Sequence, residues 1–393
     1  MPSQFFRDFG ATYAGNALVG FIFAATGPVA IVLAVGTQGG LTEADLASWI
    51  FGSFFLNGLL SIAFCLWYRQ PLVFFWTIPG TVLVGPALGH LSFPEVIGAF
   101  IATGVLMLAL GLSGWVKRCT ETAPMPIVMA MVAGVFLRFG IGLVHSVRDD
   151  FWIATPMILA FLFLSWSAIG RRLPPVLGAM IVGIIFIIVE KKFSPDTSAL
   201  LTLTPPNFYA PAFSWQAMVE LVIPLAITVL VVQNGQGFAV LTAAGHKPPM
   251  NAIASACGVG SIAAAFTGAV SSCLTGPVNA IISSGGEKHR HYTAGVMVGL
   301  LALLFGAMST TFTRLMLATP PAFIAALGGL AMLRVLQTAF SVAFGTGKFA
   351  LGALVTFLVT VADVPIFNVG AAFWGLVLGF LISWLLERSD FRR

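Results

Sequence analysis

Charge is what this chain has least of. Lys and Arg together number 19 and Asp and Glu 14, so only 8% of the 393 residues are charged, against about 25% in a soluble domain. With 58% hydrophobic residues and a mean hydropathy of +0.99, that scarcity excludes a soluble protein and points to one that crosses a membrane many times. Cysteine is also sparse. Cys65, Cys119, Cys257 and Cys273 are scattered, and none forms a CxxC pair, so neither a disulfide framework nor a zinc site is indicated. The five histidines lie in loops, and His289 and His291 flank Arg290 in a charged turn without the spacing a metal site needs. No phosphate loop, HExxH motif or Ser/His/Asp grouping is found, so an ATP-driven pump and an enzyme are both disfavoured. No catalytic residue, metal or cofactor is expected. The net charge of +5 is the signature of basic loops at a membrane surface, and no nucleic-acid partner is implied. The start, MPSQFFRDFGATYAGN, has no basic stretch followed by an isolated apolar core, so no removable signal peptide is expected.

A spanning helix needs about 20 apolar residues. Such runs are predicted near 12–36, 46–67, 72–88, 94–114, 125–144, 151–169 and 174–189. After a polar, proline-bearing connection they resume near 217–243, 249–267, 269–284, 291–312, 320–343, 349–362 and 366–386. With fourteen spans both termini share one side. Thirteen of the 19 basic residues then fall in loops on that side, Lys117, Arg171, Arg172, Arg392 and Arg393 among them. Arg148, Lys191, Lys192 and Arg314 fall opposite, and Arg138 and Arg334 lie within spans. The positive-inside rule therefore predicts cytoplasmic termini in an inner (plasma) membrane, multi-pass protein.

The two halves echo each other. Pro124 precedes Arg138 by fourteen residues and Pro320 precedes Arg334 by fourteen; Thr77-Ile78-Pro79 answers Thr275-Gly276-Pro277; Gly178 and Gly183 answer Gly370 and Gly375. The shared offset of about 192–198 residues indicates a duplicated unit, 1–189 and 217–393, joined by an outer linker, 190–216. Seven spans is an odd number, so the second copy is inverted, as in many secondary transporters. The expected fold is an all-α polytopic membrane protein of two inverted seven-span repeats.

Spans 3 and 10 look broken. QPLVFFWTIPGTVLVG and AVSSCLTGPVNAIISS each read as a short strand feeding a half-helix, with proline in its first turn and a threonine cap. Two half-helix N-termini would present free N–H groups and positive dipole ends to an anion without any arginine. Near them VVQNGQG places Gln233, Asn234 and Gln236 where amides are costly in lipid unless satisfied within the protein. They suit either a polar ligand or interhelical packing. Arg138 and Arg334 sit late in their spans, where snorkelling to the surface is the simpler role. Asp363 is a candidate for proton coupling, although a loop carboxylate solvated by water is the simpler reading. No carboxylate lies in the predicted site.

LWYRQP at 66–71, WTIPG at 76–80, MVAGVFLRFG at 131–140, QNGQG at 233–237, TAAGHKPP at 242–249 and GAAFWGL at 370–376 resemble the BenE-type benzoate:proton symporters over nearly the whole chain. The resemblance implies kinship with the nucleobase and sulfate/bicarbonate carriers of seven-plus-seven inverted repeats. It implies a core domain (1–121 and 217–313) holding substrate, a gate or scaffold domain (122–189 and 314–393) that often forms a homodimer, and an elevator movement between them. Carried over, it places Thr77, Pro79, Gly80 and Thr81 at the third-span half-helix and Thr275, Gly276 and Asn279 at the tenth, beside Gln233, Asn234 and Gln236. Gly27 of the first span faces the same gap, and Phe23, Phe74, Phe75 and Trp76 are candidates for an aromatic wall. The tenth span departs from the family in lacking a PFGG-like turn, and amides stand where nucleobase carriers have glutamates. That suits an anion. The implied function is import of an aromatic carboxylate, benzoate or a close analogue, with a proton; an inorganic-anion exchanger and a nucleobase permease of the same fold are the alternatives.

Overall fold

The structure, a computed structural model, describes residues 2–116, 118, 124–167, 170, 173–194, 202–364, 366–367 and 369–391. Lys117, Cys119, Arg171, Arg172, Arg392 and Arg393, which entered the orientation and cysteine readings, lie outside the described residues. Among those described, seven helices are long and apolar enough to cross a membrane: Ala11–Gln38, Glu43–Tyr68, Phe93–Ser113, Met125–Asp149, Trp215–Ala243, Lys288–Ala307 and Pro321–Phe344. Six shorter apolar helices accompany them, Ile78–Ala87, Phe151–Trp166, Pro175–Val189, Met250–Ala265, Ala350–Ala362 and Ala371–Leu386. The protein is thus a mostly helical, polytopic membrane protein.

Several expected spans are interrupted. The first turns at Thr26 (φ −101°, ψ −96°), which separates Ala11–Ala25 from Gly27–Gln38. The last begins only at Ala371, because Ile366 and Val369 pair as a small bridge before it. This also moves Gly370 to the cap of its helix, whereas Gly178 lies one turn inside Pro175–Val189. Gly178 and Gly370 therefore stand at different distances from the starts of their helices.

At the centre, β1 (Phe74–Trp76) pairs antiparallel with β2 (Ser272–Leu274), Phe75 opposite Cys273. Each strand leads into a short helix, Ile78–Ala87 after Thr77 and Gly276–Ile282 after Thr275. A two-stranded sheet inside a helical bundle has two open edges, and their N–H and C=O groups must be satisfied from within. Side chains from neighbouring helices do this in matching fashion. Ser61 Oγ accepts from Phe74 N at 2.8 Å, and Ser261 Oγ accepts from Ser272 N at 2.9 Å. Asn279 Oδ1 accepts from Val73 N at 3.0 Å, and Asn234 Oδ1 accepts from Leu274 N at 2.8 Å.

Around this centre the helices pack in pairs: Met125–Asp149 on Pro321–Phe344, Phe93–Ser113 on Met250–Ala265, Phe151–Trp166 on Pro175–Val189, and Ala350–Ala362 on Ala371–Leu386. Small residues let the backbones meet, since in lipid close packing replaces the hydrophobic drive between helices. Gly104 and Gly258 are reciprocal: a Cβ on either would stand 2.8–2.9 Å from the other's carbonyl oxygen.

Candidate functional site

A cavity of about 850 Å³ opens beside the strand crossing. Its floor carries Ile78 and Pro79 from the first half-helix and Pro277 from the second. Gln233, Gly235 and Gln236 form one wall; Met125, Met129, Phe136, Phe161 and Phe23 supply apolar surface; Arg334 and Thr338 line it from helix Pro321–Phe344.

Helical geometry explains which amides reach this space. Residues three apart share a face, whereas adjacent residues diverge by about 100°. Gln233 and Gln236 therefore both line the cavity, and neither side chain has a hydrogen-bond partner among the described residues. Asn234 turns inward, fully buried, to the strand edge at Leu274 and to the Cys257 thiol at 3.6 Å. A π-helical stretch, Thr228–Gln233, runs directly into this sequence. Such turns add a residue to the helix and recur at functional sites.

The other predicted residues divide in the same way. Thr77 caps Ile78–Ala87 by accepting from Gly80 N at 3.2 Å and donates to Thr228 Oγ1. Thr81 donates to the carbonyl of Thr77. Asn279 binds Val73 and the carbonyl of Thr275. These side chains build the crossing and do not line the cavity. Gly80 packs close to Thr77 and Leu225. Gly276 lies directly under Gln236, whose side chain would come within 2.5–2.6 Å of a Cβ there. Thr275 makes no side-chain cap. Its helix has seven residues, too few for much dipole, so the two half-helix ends expected to match differ: Ile78–Ala87 has ten residues and its threonine cap in place. Gly27 touches the opposite wall, where a Cβ would stand 2.2 Å from Ala331 Cβ.

The aromatic wall is composed differently from the one expected. Phe23 lines the cavity. Phe75 and Trp76 instead pack on Phe54, and Phe74 packs on Phe64. A strand's alternate faces here are both buried in protein, so neither points into open space. Phe136 and Phe161 take their place. Sequence reasoning passes over these two because aromatic residues in apolar runs mostly just pack. It also reads Arg334 as a snorkelling residue; the structure brings it to the cavity.

On another side lies a much smaller cavity of about 30 Å³, lined by Arg138, Glu220, Asp363 and Gly370 among others. Arg138 Nη2 pairs with Asp363 Oδ2 at 2.6 Å. Glu220, 5% exposed, meets His90 Nε2 at 2.9 Å and lies against Gly370. Asp363 thus stands outside the large cavity, as the partner of Arg138.

Comparison with known proteins agrees with this architecture. The chain is 29% identical over 368 residues to inner membrane protein YdcO of Escherichia coli (strain K12), covering 92% of this chain and 93% of that one. It is 27% identical over 383 residues to the benzoate membrane transport protein of Acinetobacter baylyi, covering 96% and 95%. In fold it is similar to SLC26A9, with a TM-score of 0.66 at 14% identity, over 95% of this chain and 65% of that one. The transmembrane domain of the cyanobacterial bicarbonate transporter BicA matches with a TM-score of 0.62 at 15% identity, over 93% and 97%. The family profile described as benzoate membrane transport protein matches residues 8–385, nearly the whole length, and the chain belongs to that family.

Proposed function

We propose that this protein carries an aromatic carboxylate, benzoate or a close analogue, across the inner membrane together with a proton. The observation that carries the reading is the large cavity. It sets unpartnered amide groups at Gln233 and Gln236 and the N-terminal turn of Ile78–Ala87 against apolar surface from Phe23, Phe136 and Phe161. Such a space, apolar with a few converging polar groups and of small-molecule size, has the form of a ligand site. The ring lies against the phenylalanines and methionines; the carboxylate accepts hydrogen bonds from the amides.

The movement is that of a core (1–121 and 217–313) against a gate (122–189 and 314–393), in a fold of two inverted seven-span repeats. Gly27 against Ala331 and Glu220 against Gly370 are contacts between these two parts. The cavity reaches the inner ends of the expected spans, at Met125, Gly170 and Pro174. With cytoplasmic termini it opens inward. The benzoate transport relative supports the substrate class, and a homodimer through the gate completes the assembly. A proton offsets the substrate's charge, which opposes uptake into an inside-negative cell. Asp363, the partner of Arg138, is the carboxylate we assign to that coupling.

The test is uptake of labelled benzoate into proteoliposomes under an imposed pH gradient, inside alkaline. Accumulation that collapses with an uncoupler, and that unlabelled substituted benzoates compete away, is expected. Uptake indifferent to the gradient sinks proton coupling. Competition by sulfate, bicarbonate or uracil but not by aromatic acids sinks the substrate class.

A further inference from the structure

The duplication places two arginines at one position of the repeat, yet their surroundings differ. Arg138 and Arg334 each stand fourteen residues after the proline that caps their helix, Pro124 and Pro320. The two helices pack on each other. Arg138 is neutralised by Asp363 at 2.6 Å, on a residue held in the left-handed region (φ 54°) at the end of Ala350–Ala362. Arg334 has no such partner among the described residues. Its only side-chain hydrogen bond among the described residues is a long one, Nη1 to Gln337 Oε1 at 3.4 Å, and no described carboxylate lines the cavity it faces. Ala331, one turn before it, touches Gly27; Thr338, one turn after, lines the same cavity. The guanidinium therefore belongs to a cavity wall whose other lining is mostly apolar, and nothing described balances its charge.

We infer that Arg334 is the counter-ion for the substrate's carboxylate, and that it makes the site select organic anions over neutral molecules of the same shape. This rests on the transport reading above and deepens it. A guanidinium presents paired N–H donors in a fixed plane that match a carboxylate. Arg334 is exposed at this wall, and a charge-assisted bond from it is stronger than a neutral one. The amides at Gln233 and Gln236 orient the anion from the core side, while Arg334 holds it from the gate side. A bound anion thus touches both parts proposed to move. A cation held from one part alone would attract any anion to the mouth; amides alone would take benzamide as readily as benzoate.

The test is binding of benzoate and of benzamide, its neutral isostere, to purified protein by titration calorimetry, with Arg334→Gln and Arg334→Lys beside the wild type. Wild type is expected to prefer benzoate. Arg334→Gln should weaken benzoate roughly 10- to 100-fold, about 1.4–2.8 kcal/mol, and leave benzamide within about twofold. Arg334→Lys, a charge without the planar fork, should fall between. Unchanged apo melting temperatures show that the variants fold, and the lysine variant carries the test if the glutamine variant does not. Benzoate affinity equal in wild type and both variants overturns the inference while leaving the transport reading intact. Failure of wild type to bind any aromatic carboxylate defeats the transport reading, and this inference with it.

Discussion

Replacing Asn279 by alanine tests how the strand crossing is held. The side chain accepts from Val73 N at 3.0 Å and donates to the carbonyls of Val73 at 3.1 Å and Thr275 at 2.7 Å. After truncation the Val73 carbonyl keeps its bond from Thr275 N, and the Thr275 carbonyl keeps Asn279 N. Only the Val73 N–H is orphaned, at a residue with no exposed surface. A buried unsatisfied donor costs about 1–3 kcal/mol, whereas polar contacts between membrane helices average about 0.6 kcal/mol. The expected loss is thus about 1–3 kcal/mol, read as a melting temperature lowered by several degrees in detergent. Tryptophan fluorescence suits the assay because Trp76 ends the strand. Asn279→Asp keeps an acceptor for Val73 but turns an anionic oxygen toward two carbonyls, so it should melt lower still. Coincident melting curves for wild type and Asn279→Ala would refute the claim that this side chain closes the sheet edge.

Three further outcomes are expected. Gly27→Val forces a branched side chain into a gap where a Cβ alone would stand 2.2 Å from Ala331 Cβ, so benzoate uptake should be abolished; uptake at the wild-type rate would show that this contact does not constrain the cycle. Gly370→Ala brings a methyl within 2.5 Å of Glu220 Oε1 and should push the helix Ala371–Leu386 away from Glu220, increasing labelling of a cysteine placed at Leu83 in the small cavity; unchanged labelling would show that the contact is not a closure. His246, in the loop after Trp215–Ala243, is pulled down to about 4 by burial first, and then by the nearby His291 and Lys288 charges. Its folded value lies below the ordinary 6.5, so its contribution is present above pH 6.5 and is lost as pH falls toward 4. The melting temperature should drop through that window, and less so in His246→Gln; parallel profiles for the two proteins would exclude His246 as the cause.

The small number of charges and the long apolar runs settle the membrane class, because lipid tolerates neither exposed charge nor unpaired backbone. The Thr-x-Pro turns at 77–79 and 275–277 are legible as helix starts because proline's missing N–H and fixed φ suit that position. The divergence of Asn234 from Gln233 and Gln236 is also within reach, since it follows from about 100° per residue. Which face meets a cavity is not. Asn234 and Asn279 turn to strand edges that exist only once β1 and β2 pair, 198 residues apart at Phe75 and Cys273. Phe75 and Trp76 are buried because helix Glu43–Tyr68 brings Phe54 against them. Arg138 and Arg334 each follow a proline by fourteen residues, and only the folded chain makes one a salt-bridge partner and brings the other to the cavity. Periodicity and composition are local properties that a sequence by itself determines; which surfaces oppose each other across a gap depends on contacts distant in the chain, and the tertiary structure decided that.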